Sequence, residues 1–583
     1  MTEPRFLQGQ PTHERRLENG LTVIVREDHS APVVAVVTYV RAGYFDEPDD
    51  VVGISHVLEH MYFKGTAHRG AGEIARATKS AGGYLNAGTI YDHTSYYTVL
   101  PSGSLEQALD IQADALQHSA IDEAELAREL QVIVQEAKRK LDNPGAFVHE
   151  TLFATMFDVH RMRRWRIGAE PVLSGFTRAD VWRFYRAMYR ASNTILVIAG
   201  DVDPQLAFEL AVQKYGSMDA GAAVRDVGPT EPDRRGFRYR EVTGDIAQTH
   251  IEWGWRTPGA LHADTPALDV LAVAVGSGRA SRLYRHVRDA GVVAAASAYN
   301  YSPADIGVFG FSAELDAADT GPAVERLAGV LHGVRAHGFA DVEVERARNM
   351  LEAQQLRSLQ TVDGQANMIA SWQARGDWRL ADDYMRRVLA VTAADLSDVA
   401  SRYLDPDALT VVVYRPLAAG EFAGDDTARV RRIIDEAASL PTSPDDASVA
   451  AVPVPSRLAR SGVVAEGVED GVHRYATSDA RAHTVIKPRR TAPLVSLALY
   501  CRGGRIAETE ATAGITTLMA RTSVRGTRTR SARELAGSMS ARRRAVSRGG
   551  CGSRRLVDDR ARPALRGGAG AAARRRARTG VRQ

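Results

Sequence analysis

The stretch APVVAVVTYVRAG at Ala31–Gly43 has a counterpart, APLVSLALYCRGG at Ala492–Gly504, displaced by 461 positions without a gap. Over the 50 positions from Ala492 the two copies share 15 identities, among them Gly53/Gly514, Ile54/Ile515, Gly65/Gly526, Thr66/Thr527 and Glu73/Glu534. Strand or helix periodicity repeats apolar positions, not glycines at fixed intervals, so the chain contains an internal duplication. Whatever unit the first copy begins is begun again near residue 471. A chain of 583 residues also exceeds what one hydrophobic core can organise.

The order of local patterns points to an α+β fold class, built from repeated domains. Strand signals at Leu21–Val25 and Ala31–Val40 precede a helical pattern at Val51–Phe63 that stops near Gly65. Two further strands, in GYLNAGT and TSYYTVL, lead to a long helix from about Asp122 to Leu141, ended by Asn143-Pro144. TILVIAG (Thr194–Gly200) closes the unit, and Gly236–Pro416 repeats the order, closing on ALTVVVY (Ala408–Tyr414). The expected division is a domain over 1–220, a second over 221–438 and a Pro/Ser/Ala/Asp-rich linker over 439–470. A truncated third domain over 471–541 and an arginine-rich tail over 542–583 follow. The tail holds fourteen arginines and two aspartates, with neither lysine nor glutamate, as a GC-rich gene gives when read out of frame. That region carries about +12 of a whole-chain charge of +3, so the remaining body is acidic and is not expected to bind nucleic acid.

Composition narrows the setting. The chain is 44% apolar and 25% charged, as soluble globular proteins are. It contains no run of about 18 apolar residues, so no membrane span is expected. Met1–Gly20 is polar, without the apolar core of a secretory signal. The two cysteines, Cys501 and Cys551, make no disulfide framework, and a reducing, cytoplasmic location is expected.

The chemistry concentrates in His56-Val57-Leu58-Glu59-His60. On a helix, residues four apart project from one face, so His56 and His60 can close on one Zn²⁺. Glu59, at the edge of that face, can take a proton from metal-bound water without itself being a ligand. A further ligand has to come from elsewhere. Glu136 lies 76 residues after His60 on the long helix, and Glu129 is two turns earlier on the same face. One of these carboxylates can bind metal and the other can orient a ligand or water. The apolar run Val132–Val134 between them implies a buried helix.

HVLEH followed by Glu129, Glu136 and DNP resembles the pitrilysin family of inverted-motif zinc peptidases, especially its mitochondrial-processing-peptidase-like branch. GYLNAGTIYDHTSYY (Gly83–Tyr97), FYRAMYRASNTILVIAGDVDP (Phe184–Pro204) and SRLYRHVRDAG (Ser281–Gly291) resemble further family segments. The resemblance covers about residues 15–540. It implies antiparallel sheets packed with helices, in two halves that close like a clamshell around a chamber. It also implies His56, His60 and Glu136 as zinc ligands, Glu59 as general base and Glu129 as a carboxylate behind the ligands. Asn86 and Ala87 would lie on a strand that binds the substrate backbone. The activity implied is metalloendopeptidase action on peptides or unfolded segments, with a second half or subunit as homo- or heterodimeric partner.

Two departures keep an alternative open, a non-catalytic scaffold or partner subunit, which the intact HVLEH and Glu136 oppose for the first half. Arg288 fits the family's substrate-clamping arginine loosely, but GVVAAAS (Gly291–Ser297) has alanine where a tyrosine would fall. In the second copy Thr517, Ala520 and Arg521 stand at the positions of His56, Glu59 and His60, so that copy cannot be a second zinc site.

Overall fold

The computed structural model describes residues 7, 10–223, 228–233, 236–437, discontinuously 462–536, and two strands at 544–548 and 553–558. The proposed linker falls largely, and the arginine-rich tail mostly, outside the described residues. The described chain forms two compact units, one of residues 1–348 with 361–443, the other of 349–360 with 444–583.

In the first unit, six strands form one sheet, with β-branched runs in the central ones: β1 (Thr12–Arg16), β2 (Thr22–Glu27), β3 (Val33–Val40), β4 (Tyr84–Thr89), β5 (Thr94–Pro101) and β6 (Thr194–Gly200). Their order across the sheet is β1-β2-β6-β3-β5-β4. Five more strands, β7 (Arg238–Gly244), β8 (Thr249–Pro258), β9 (Ala295–Tyr301), β10 (Ile306–Leu315) and β11 (Thr410–Pro416), form a second sheet ordered β7-β11-β8-β10-β9. Omitting β1, the two orders coincide: the last strand in sequence inserts between the first two, and the β4 or β9 strand lies at the margin. The sheets are antiparallel except at β2/β6 and β7/β11, which are parallel because the closing strand arrives through helices rather than a hairpin.

Helices α1 (Ile54–Met61), α2 (Glu73–Ser80), α3 (Leu105–Gln117), α4 (Glu123–Leu141) and α5 (Pro144–Met156) follow the first strands. The boundaries have local causes. Asp122 caps α4 by accepting from the amides of Ala124 and Glu125, and Asn143 with Pro144 ends it and starts α5. The first sheet packs its valines against helix residues such as Val57, Leu109, Ile133 and Val181 in one continuous core. Two helices are exchanged between the sheets: α5 packs on β8 and β11, and the helix Val362–Ala374 packs on β3 and β6.

Helix α1 has only eight residues, too few to persist alone. Its start is fixed by Glu47, fully buried, whose two oxygens accept from the amides of Gly53 and Ser55 at 2.9 Å each. Gly53 adopts φ +100°, and a Cβ there would come within 2.5 Å of the Ile167 carbonyl oxygen.

The second unit repeats this device. Displaced by 461 positions, α1 falls on the helix Ile515–Thr522, with Gly514 at φ +92° and Glu508 accepting from the amides of Gly514 and Thr516 at 2.8 Å each. The turn after it recurs as well: Thr66 N donates to Arg69 O, and Thr527 N to Arg530 O, both at 2.8 Å. The covering differs. Ile54, Val57 and Leu58 are 1%, 0% and 3% exposed, whereas Ile515, Leu518 and Met519 are 55%, 61% and 57% exposed.

Removing the Glu47 carboxylate leaves two buried amides without an acceptor. Glu47→Ala is therefore expected to destabilise the first unit by about 1–3 kcal/mol in urea unfolding. An unchanged midpoint would mean that apolar packing alone holds α1 in place.

Candidate metal centre

His56, Glu59 and His60 come from α1, and Glu129 and Glu136 from α4, which packs beside it. One ligand atom each of His56, His60 and Glu136 lie within 4.8 Å of one another. The two imidazoles meet edge to face, with ring centroids 4.6 Å apart. His60 is held from both sides of its ring. Its Nδ1 lies 2.8 Å from Glu129 Oε1, and its Nε2 lies 3.7 Å from Glu136 Oε2. The bond from Glu129 fixes the tautomer and leaves Nε2 available to a metal. His56 Nδ1 is buried with no hydrogen-bond partner, an arrangement that a bound cation relieves.

The electrostatics suit ligation. Burial, reinforced by neighbouring His60 and Lys140, pushes the His56 imidazole down to about 3, so it is neutral and its lone pair is free. Burial likewise raises Glu59, against the opposing bond from Thr89 Oγ1 to Glu59 Oε2 at 2.6 Å. Glu129 behaves differently. Burial works to raise it, but Lys64 Nζ at 2.5 Å and His60 together hold it below the usual carboxylate range. Two imidazole nitrogens, one half-exposed carboxylate and a separate carboxylate on the same rim form a donor set that fits a tetrahedral N/O metal with an open position.

Asn86 and Ala87 lie on β4, paired with Tyr97 and Tyr96 of β5. Among the described strands β4 has no partner on its other edge. The same strand ends at Thr89, the residue bonded to Glu59, so the open edge and the candidate base are tied directly. Arg288 does not stand in this cluster. It closes a π-helical turn at Tyr284–Arg288, and its Nε donates to the Ala294 carbonyl at 2.9 Å. The expectation that Val132–Val134 is buried holds for Ile133 and Val134, while Val132 is 47% exposed because a helix turns one residue of any three outward.

The reading of the residues missed Lys64, Thr89 and Glu150. Glu150 on α5 takes Lys140 at 3.0 Å and Arg166 at 2.6 Å, which anchors the cation beside His56. Only Lys64, one turn after His60, carried a periodic signal.

Comparison with known proteins identifies the family. A family described as Insulinase (Peptidase family M16) matches residues 22–170, and one described as Peptidase M16 inactive domain matches 175–351. An uncharacterised zinc protease of Mycobacterium tuberculosis is 30% identical over 400 residues, spanning 67% of this chain and 90% of that one. A protease from Helicobacter pylori has a similar solved structure, with TM-score 0.65 and 26% identity over 70% of this chain and all (100%) of its own. The periplasmic protease PqqL from Escherichia coli shares the fold, with TM-score 0.62 and 17% identity over 94% of this chain and 63% of its own. The chain belongs to the M16, pitrilysin-like family of peptidases. No helix among the described residues is long and apolar enough to cross a membrane.

Two buried imidazoles make stability depend on pH in the metal-free protein. His56 and His93 are both pushed down to about 3, each chiefly by burial. Between that value and the ordinary 6.5, the unfolded chain binds protons that the folded chain does not. Folding free energy is thus expected to fall as pH drops from 6.5 toward 4, by on the order of 1 kcal/mol per pH unit for each histidine. Urea titrations after chelation measure it, and His93→Asn should flatten the slope.

Proposed function

We propose that the chain is a zinc-dependent endopeptidase in which His56, His60 and Glu136 hold Zn²⁺ and Glu59 is the general base. The observation that carries this reading is the convergence of those three donors beside a separate, desolvated carboxylate. Bound zinc would supply Lewis-acid polarisation of the scissile carbonyl and of the attacking water. Glu59, made more basic by burial, takes the water proton and returns it to the leaving amine nitrogen as the peptide bond breaks. Glu129 does not touch substrate. It orients His60, and Lys64 keeps it ionised for that task.

The substrate is a peptide or unfolded segment that adds to β4 as a further strand beside Asn86 and Ala87, its backbone exchanging hydrogen bonds with the open edge. Thr89 then links the bound strand to Glu59. A partner half or a second subunit closes the site, forming the clamshell and supplying donors for the developing oxyanion that this chain's Ala294 region does not offer. A reducing compartment is part of the reading, supported by two cysteines in 583 residues, of which Cys501 is free. The scaffold alternative draws on the alanine at the tyrosine position, the second copy without its histidines, and the match of 175–351 to an inactive-domain family, all in regions without these donors.

Zinc should survive dialysis, and His56→Ala or His60→Ala should each lower the content by about one equivalent. Glu59→Gln should keep the metal and abolish peptide hydrolysis by the assembled enzyme. Cleavage at the wild-type rate by that variant would remove Glu59 from its role, and inactivity of wild type with every candidate partner would favour the scaffold.

The two carboxylates of α4 are expected to differ. Glu136→Gln should weaken zinc retention far more than Glu129→Gln, since the first removes a bond to metal and the second only its orientation, a loss of about 10–100-fold. Metal analysis after graded chelation ranks them. The reverse order would exchange their assignments.

A further inference from the structure

A second cluster of metal-ligating side chains stands outside the centre described above, at the far end of the segment that leaves α1. One ligand atom each of His68, Asp114 and His118 lie within 4.8 Å of one another. His68 is in the turn after α1, Asp114 is in the last turn of α3, and His118 follows at its C-terminus. We propose that these three side chains form a second binding site for a divalent transition-metal ion, preferentially zinc, that clips the turn after α1 to the end of α3.

The backbone around the cluster is already organised. Ala67 N donates to His118 O at 2.9 Å and Ala120 N to Gly65 O at 3.1 Å, so the turn and residues 118–120 lie side by side. Thr66 Oγ1 accepts from the amides of His68 and Arg69 at 3.0 and 2.9 Å, which shapes the turn and sends the His68 side chain back to α3. There His68 Nδ1 lies 2.7 Å from Asp114 Oδ1, and the rings of His68 and His118 meet edge to face with centroids 5.1 Å apart.

The carboxylate is presented as a ligand needs to be. Asp114 is buried, and its Oδ2 is engaged by Thr66 Oγ1 at 2.6 Å and by Arg69, leaving Oδ1 turned toward the histidines. A carboxylate fixed through one oxygen and offering the other has its orientation set in advance. Both imidazoles are exposed, so an ion reaches them without opening the fold, and a small side-chain rotation closes the 4.8 Å spread to the separation that bonds of about 2.0–2.1 Å require. Two imidazoles with one carboxylate suit zinc, and water completes the coordination. The Arg69 guanidinium is the opposing feature. It places a positive charge beside Asp114, and it makes this site weaker than one without such a neighbour.

The duplication argues that the histidine is not there to shape the turn. Arg530 and Thr527 repeat Arg69 and Thr66, but Thr529 stands at the position of His68. The bridging hydrogen bond of the turn recurs between Thr527 and Arg530 without an imidazole at that place. His68 is therefore an addition to the turn rather than part of its construction. Its effect is local to the centre of the previous subsections, because the turn begins at Lys64, the residue paired with Glu129.

Zinc titration of the full chain by calorimetry, with metal analysis after gel filtration, tests the proposal. His56→Ala removes the first centre and isolates the second. In that background the chain should still bind about one further zinc, and hydrogen exchange at the amides of 65–70 should slow on zinc addition. His68→Ala/His118→Ala, at two exposed positions that leave the fold intact, should abolish both effects while the otherwise wild-type chain keeps the zinc held by His56 and His60. Failure of that first zinc would leave this test untouched, since the two readouts use separate histidines. Unchanged binding and unchanged exchange in the double variant, or no zinc uptake in the His56→Ala background, would overturn the second site.

Discussion

Everything in the candidate metal centre depends on where α1 begins, and that is set by one buried carboxylate. Glu47 is fully buried and takes the first free amides of the helix, Gly53 and Ser55. Burial raises it to about 7, against those two bonds and the nearby Arg164. A shift of the helix start by one residue turns every side chain by about 100°, enough to carry His56 and His60 away from α4. The apolar residues Ile54, Val57, Leu58 and Met61 would follow such a rotation out of the core, so capping and packing specify the same register.

Once the histidines face α4, the remaining question is charge. A cluster of two imidazoles and three carboxylates places like and unlike charges close together, and the surrounding residues decide which are carried. Neutrality of His56 follows from its burial, ionisation of Glu129 from Lys64, and the cation of Lys140 is held on the buried Glu150. The chain thus holds one histidine neutral and one carboxylate charged, side by side, before any ligand arrives. That is the preorganisation a tight metal site requires, since donors that had to lose protons first would weaken binding.

The strands and their limits were legible because β-branched runs between glycine and proline signals have few other readings, as at Thr194–Gly200. The helix of Glu129 and Glu136 was equally legible, between Asp122 and Asn143-Pro144. The exchange of α5 and Val362–Ala374 between the sheets was not, since periodicity marks an apolar face but not the sheet that covers it. Among the site residues, the pentapeptide placed three groups, whereas Thr89 and Glu150 carry no signal of their own. Their roles arise from folding that brings Thr89 to Glu59, and Lys140 and Arg166 to Glu150, across turns that periodicity does not describe. The choice between Glu129 and Glu136 is also beyond spacing alone, because both lie on one face. What separates them in the structure is the His60 nitrogen each approaches, Nδ1 for Glu129 and Nε2 for Glu136.

The duplication separates what the fold needs from what the chemistry needs. Glu47/Glu508, Gly53/Gly514, Gly65/Gly526, Thr66/Thr527 and Glu73/Glu534 are retained. Several perform the same backbone task in both copies: the carboxylate on the helix amides, the left-handed glycine, and the acceptor for the amide three residues before it, Gly70 in one copy and Ser531 in the other. His56, Glu59 and His60, by contrast, become Thr517, Ala520 and Arg521 on a helix that still forms. A helix that forms without its histidines shows that they contribute little to its construction. Their presence in the first copy, desolvated and in part unpaired, is a cost to stability that packing elsewhere offsets, and such costs concentrate where a protein binds or reacts.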